Sequence, residues 1–142
     1  MATRSTIALE YADGTVDQIY CHWDGYLENN GAILAQHYMD PFKVQKLMEL
    51  GDMSSLAANI GNQHAFEKAA EGECTFYGRD RGETGVGAKR FKDFADYVEN
   101  HQYEEYEYIL RQVEGKAVWF VKCHSADYVT LAEAFEAEKE AA

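Results

Sequence analysis

The stretch Ile19-Tyr20-Cys21-His22-Trp23-Asp24-Gly25-Tyr26 changes its period halfway along. Ile19, Cys21 and Trp23 alternate with Tyr20 and His22, the repeat of a half-buried strand. Beyond Asp24-Gly25 the pattern shifts to Leu27, Gly31, Leu34 and Tyr38, which share one face of a helix. The spacing therefore predicts a strand running straight into a helix. Asp24 is the expected N-cap, since its carboxylate can accept from the first free N–H groups. Strand alternation puts Cys21 and Trp23 on the core side with Ile19, and His22 with Tyr20 on the other face.

Upstream, Ile7, Leu9 and Tyr11 alternate in the same way, and Asp13-Gly14 signals a hairpin. A two-residue Asp-Gly loop would pair Ile7 with Tyr20 and split the two apolar rows between faces. A three-residue loop, Ala12-Asp13-Gly14, pairs Ile7 with Ile19 and unites them, so a type I turn with Gly14 in the left-handed region is expected. Downstream, Asp40-Pro41 opens a second helix with Val44, Leu47 and Met48 inward and Gly51 as its stop.

The middle of the chain is less regular. Residues 54–58 read as a short helical turn and His64 to Glu71 as another. Cys74-Thr75-Phe76-Tyr77 reads as a third strand, and the four glycines between Gly78 and Gly87 as a loop. Phe91, Phe94, Ala95 and Val98 mark a third helix. A two-residue Glu114-Gly115 loop then pairs Leu110 with Trp119, Tyr108 with Val121 and Tyr106 with Cys123. The reverse face of that hairpin carries Ile109, Val113, Val118 and Phe120; either another element covers it or it is a contact surface. Thr130 and Glu133 form a capping-box pattern for a C-terminal helix over about residues 130–142, peripheral to one α+β domain spanning 1–142. The expected architecture is a mostly antiparallel sheet of about five strands, two hairpins plus one strand, with helices packed on one face.

The chain of 142 residues is long enough for one hydrophobic core, and 46% of it is apolar. Its formal net charge is −12, which argues against direct nucleic-acid binding and against anionic membrane surfaces. The same charge suits a basic protein partner. Cys21, Cys74 and Cys123 include no CxxC pair, and their odd number does not suggest a disulfide scaffold. No apolar run approaches the ~20 residues of a membrane span. The opening residues lack the apolar core of a secretion signal, so a cytoplasmic protein with reduced thiols is expected. A homodimer is compatible with all of this.

Two polar stretches are candidate sites. The first holds His22, Trp23, Asp24 and Tyr26: His22 as acid/base or donor, Asp24 orienting it, Tyr26 lining a pocket. The second is Tyr77-Gly78-Arg79-Asp80-Arg81-Gly82-Glu83, with Arg79 and Arg81 on a glycine-rich loop suited to a phosphate or carboxylate. Arg79, Arg81, Lys89, Arg90 and Lys92 lie close together in a chain with only 13 Lys and Arg residues. The competing reading is internal pairing, since Asp80, Glu83 and Asp93 lie among them. Both stretches follow strands, so Asp24 and Arg79 are expected to form a pair, with Trp23 behind it on the core side. Neighbours on a strand point to opposite faces, so Cys21-His22 and Cys123-His124 are poor metal chelates, and no P-loop, GxSxG or GxGxxG is present. No cofactor, metal ligand set or catalytic residue is assigned.

Arg4-Ser5-Thr6-Ile7, Asp13-Gly14, the Ile19–Tyr26 stretch, Leu50-Gly51-Asp52-Met53-Ser54-Ser55-Leu56 and Tyr77–Glu83 together resemble an uncharacterised family of small phage, prophage and bacterial proteins. The resemblance covers roughly residues 3–123. It implies a phage context and an accessory or host-interaction role, a class that includes inhibitors of bacterial defence such as anti-CRISPR-like proteins. The favoured expectation is thus a binding protein that inhibits or modifies a host bacterial protein. The alternative is a pocket for a nucleotide or similar small anionic metabolite, held by Arg79 and Arg81 and stacked on Tyr26 or Tyr77. A small acid/base enzyme using His22 and Asp24 stands third.

Overall fold

The computed structural model describes residues 2–68, 71–124 and 127–141. The fold starts from a hairpin. Strand β1 (Ser5–Glu10) pairs antiparallel with β2 (Val16–Cys21), and Ile7 faces Ile19 as the three-residue loop requires. Gly14 has φ of 91°, and its N–H donates to Tyr11 O at 2.9 Å, closing the turn. A π turn (Leu27–Gly31) and helix α1 (Ala32–His37) follow, then α2 (Pro41–Leu50). Asp40 caps α2 by accepting from Phe42 N, and Gly51 ends it at φ 88°.

The middle segment departs from its expected form. Residues 53–55 are a short strand, β3 (Met53–Ser55), and not a helical turn. Residues 64–68 and 71 of the next expected helical turn are not helical, and 69–70 lie outside the described residues. Strand β4 (Thr75–Phe76) is shorter than expected, because the chain turns at once into α3 (Tyr77–Arg81), where a loop is expected. Gly82, left-handed at φ 71°, terminates that turn. Strand β5 (Lys89–Phe91) absorbs Phe91, and α4 (Phe94–Asn100) begins after Asp93, whose carboxylate accepts from Asp96 N. Tyr97, not Val98, is the residue that α4 buries.

Strands β6 (Tyr106–Val113) and β7 (Lys116–Cys123) form the last hairpin in the expected register, Leu110 facing Trp119. Strand β8 (Val129–Thr130) leads into α5 (Leu131–Ala141), whose first turn carries the capping box: Glu133 N donates to Thr130 Oγ1 at 3.1 Å, and Thr130 N to Glu133 Oε1 at 3.1 Å.

The described strands make one mixed sheet of eight, in the order β4-β3-β2-β1-β6-β7-β8, with β5 also beside β2. The α+β class stands, but two pairings, β1 with β6 and β2 with β3, are parallel. The helices are not confined to one face. On one side α1, α2 and α5 bury Leu34, Val44, Leu47 and Leu131 against Ile7, Ile19, Tyr108 and Trp119. On the other, α4 and β5 bring Tyr97 and Phe91 onto Ala8, Val16 and Ile109, with Phe120 packed beside them. That second layer covers part of the apolar reverse face of the last hairpin. Among the described residues, no helix is long and apolar enough to cross a membrane.

Candidate functional site

The first polar stretch continues the sheet for two residues. His22 N donates to Met53 O at 3.1 Å and Trp23 N to Ser54 O at 3.0 Å, so the chain stays extended past Cys21. His22 shares its face with Tyr20, whose hydroxyl lies 2.7 Å from His22 Nδ1. The imidazole meets Trp23 edge-on, with centroids 4.8 Å apart. Alternation then fails: Asp24 takes a left-handed φ of 56°, and Trp23 is 44% exposed, not on the core side. Asp24 is not the N-cap. Tyr26 holds that position without a side-chain bond, and Asp24 contributes its main-chain oxygen, which accepts from Asn29 Nδ2 at 3.1 Å. Gly25 explains the kink. Its N–H donates to Thr3 O at 2.8 Å, its carbonyl accepts from the Tyr108 hydroxyl at 2.6 Å, and a Cβ there would stand 2.6 Å from Ser5 Cβ. The backbone is pressed onto the start of β1, and Asp24 is turned out to solvent. Tyr26 is exposed beside it.

The second stretch is a structural staple. Arg79 spends its guanidinium on Ile60 O (2.9 Å), Gly61 O (3.0 Å), Cys74 O (2.9 Å) and both oxygens of Asp80. Asp80, with its side chain fully buried, also accepts from Phe76 N at 2.8 Å and His64 N at 3.1 Å. Burial alone would raise the Asp80 carboxyl; the bonds from Arg79 and from those two N–H groups outweigh it and hold it below the ordinary value. His64 offers both ring nitrogens to carbonyls, Ala65 O at 2.8 Å and Cys74 O at 3.1 Å. Two acceptors suit two N–H donors, so these carbonyls favour the imidazolium and push its pKa up.

The other two arginines of the cluster follow the same rule. Arg81 pairs with Glu83 and lies 4.3 Å from the Phe66 ring centroid and 5.0 Å from that of Tyr77. Arg90 makes a bidentate pair with Asp17, 2.8 and 2.9 Å. Internal pairing, the competing reading of the basic cluster, describes all three arginines.

Asp24 and Arg79 do not pair, and the topology explains why. β2 runs parallel to β3, and β3 antiparallel to β4, so β2 and β4 leave the sheet in opposite directions. Tyr77 N donates to Asp52 O, while Asp52 Oδ1 accepts from Tyr20 N. Tyr77 therefore sits level with Tyr20, before the first stretch begins its exit. The main chain thus leaves β2 at one end of that short ladder and β4 at the other; the Arg79 guanidinium folds back to Cys74 O and has its donors filled there, while Asp24 is turned out to solvent.

Two features escape a reading of local patterns. The first is a buried polar cluster under α4. His101 and Glu107 are in contact at 2.5 Å, and the Tyr128 hydroxyl donates to Glu107 Oε1 at 3.0 Å. Glu107 stands between Tyr106 and Tyr108, after Glu104 and Glu105, and reads as one more solvent-facing glutamate of an acidic run, although it faces inward with Ile109. Burial raises the Cys21 thiol to about 12 and raises that of Cys74, so neither is an activated nucleophile. The second feature is a cleft of about 360 Å³ between α1, β7 and α5, walled by Ala35, Met39, Ala117, Trp119, Leu131 and Phe135. Trp119 is fixed at its floor by donating from Nε1 to Tyr38 O at 3.0 Å.

No protein-family model, curated protein or solved structure matches the chain. The class is therefore set by the molecule itself: an acidic α+β protein with a mixed sheet between two layers, internally paired arginines and an open apolar cleft.

Proposed function

We propose that this chain is a non-catalytic acidic binding protein of the phage type, which engages a positively charged host protein and so inhibits or modifies it; a component of bacterial defence is the kind of target in view. The observation that carries this reading is the internal pairing of its charged groups. Arg79, Asp80, Arg90, Asp17, His101 and Glu107 complete one another's hydrogen bonding within the fold. What remains for a partner is a surface with a net charge of −12, exposed apolar side chains such as Trp23 and Phe42, and the apolar cleft. Charge of one sign steers a basic partner and speeds encounter.

Affinity capture from bacterial lysate at low and high ionic strength tests this, followed by reconstitution with the purified partner. A specific basic protein is expected, held at low salt and released at high salt. Retention of nothing specific sinks the proposal. The anionic-metabolite alternative has lost Arg79 as a donor, so nucleotides are expected to leave the melting temperature unchanged. A nucleotide-dependent rise that Arg81→Ala abolished would reinstate it.

A further inference from the structure

The cleft between α1, β7 and α5 combines an apolar wall, an open main-chain edge and a flanking acidic helix. Its wall holds the side chains of Ala35, Met39, Trp119, Leu131, Ala132 and Phe135. The open edge follows from the last hairpin. Glu114 and Gly115 have φ of 52° and 80°, the two-residue turn in which the flanking pair, Val113 and Lys116, exchanges both ladder bonds. Bonded and non-bonded pairs alternate from there, so Ala117 directs its N–H and C=O away from β6. On that side β8 pairs with β7 only at Phe120 and Val121, and among the described residues the ladder stops short of Ala117. One donor and one acceptor thus stand beside the apolar wall. The helix that forms one wall, α5, is acidic as a whole: Glu133, Glu136, Glu138 and Glu140 are exposed on it with one cation, Lys139.

We propose that this cleft receives one bulky apolar side chain from a basic segment of the partner protein, with the segment's main chain aligned along Ala117 and its lysines or arginines against α5. The volume suits a single anchor of leucine or aromatic size, the usual centre of a small interface. The charge selects the occupant: a second copy of this chain would bring −12 against −12, whereas a basic segment is attracted. The inference rests on the reading of the chain as an acidic binding protein and names the site and chemistry of its partner.

The test uses two short lysine peptides, one with a central leucine and one with a central glycine, titrated against the full chain by calorimetry. The leucine peptide is expected to bind at least about tenfold more tightly, as burial of one leucine dictates. Ala132→Phe fills the cleft from an exposed helix position without altering charge, and is expected to abolish that difference while leaving the weaker, salt-sensitive binding. Ala35→Phe fills it from the opposite wall and guards against a folding defect in the first variant. If both peptides bind equally, the anchor site is wrong while the acidic-binding reading survives. If the leucine preference persists in both filled variants, the anchor lies elsewhere and this site is wrong. If neither peptide binds at low salt, the broader reading falls as well.

Discussion

Glu107 reaches His101 across 2.5 Å in the layer beneath α4, with each side chain about 1% exposed. His101 Nδ1 faces Tyr97 O at 2.7 Å, a carbonyl that can only accept, so that nitrogen carries a hydrogen. The pair is thus a direct imidazole–carboxylate contact with a carbonyl behind the ring. It ties the C-terminal end of α4 to the sheet. Removing one partner strands the other without water, so His101→Ala and Glu107→Ala are each expected to cost about 3–5 kcal/mol. The double variant is expected to cost clearly less than the sum of the two. Urea denaturation of all four proteins checks this, and simple additivity would show that the pair has no coupling.

Arg79 bridges α3 to the irregular segment through three carbonyls and Asp80. Arg79→Ala is expected to lower stability by about 3 kcal/mol or more, beyond the ~0–1 kcal/mol of an exposed pair. Arg79→Lys is expected to recover little, since an ammonium lacks the planar fork that reaches all four groups. Full recovery by lysine would mean that charge alone matters here.

The same network makes stability depend on pH in two windows. His64 has its pKa raised, so its contribution is complete below the unfolded value near 6.5 and is lost as pH rises through the higher folded value. Asp80 has its pKa lowered, so its contribution is complete above the unfolded value and is lost as pH falls through the folded one. Thermal melts are expected to decline on both sides. In His64→Ala the decline as pH rises past the unfolded histidine value should flatten; an unchanged high-pH limb would remove His64 from the account.

Gly25 is a matter of space. Its φ is unremarkable, but a methyl group there would meet Ser5 Cβ at 2.6 Å and Thr3 O at 2.9 Å. Gly25→Ala is expected to destabilise by about 1–3 kcal/mol, the usual cost of overpacking. By contrast, Gly87→Ala meets nothing within 4 Å and is expected to be nearly neutral. Comparable losses at the two sites would show that main-chain freedom, not contact, sets the cost.

What the sequence discloses depends on how far apart the interacting residues lie. Asp40, Pro41, Thr130 and Glu133 act within a few positions, and their caps are where the spacing puts them. Both hairpin registers are legible because loop length and apolar rows agree. Trp23 and Asp24 mislead because Gly25 is pulled toward Thr3 and Ser5, contacts that no local pattern contains. Arg79 resembles a ligand donor because its carbonyl acceptors at Ile60 and Gly61 carry no side-chain signature. The second helical layer depends on Tyr97 meeting Ala8 and Ile109, a long-range choice that periodicity leaves open.

Strand β1 lies between β2 and β6, with Ser5 beside Tyr106 and Leu9 beside Leu110. The first hairpin can therefore form early, but one flank of β1 waits for a segment synthesised far later. Until β6 arrives, the nascent chain carries an unpaired strand edge along Ser5 to Leu9. Sheet closure of this kind is slow, because the intervening chain must be gathered before any contact rewards it. The interval during translation is thus the period of greatest aggregation risk for this protein, and it ends when β6 docks along β1.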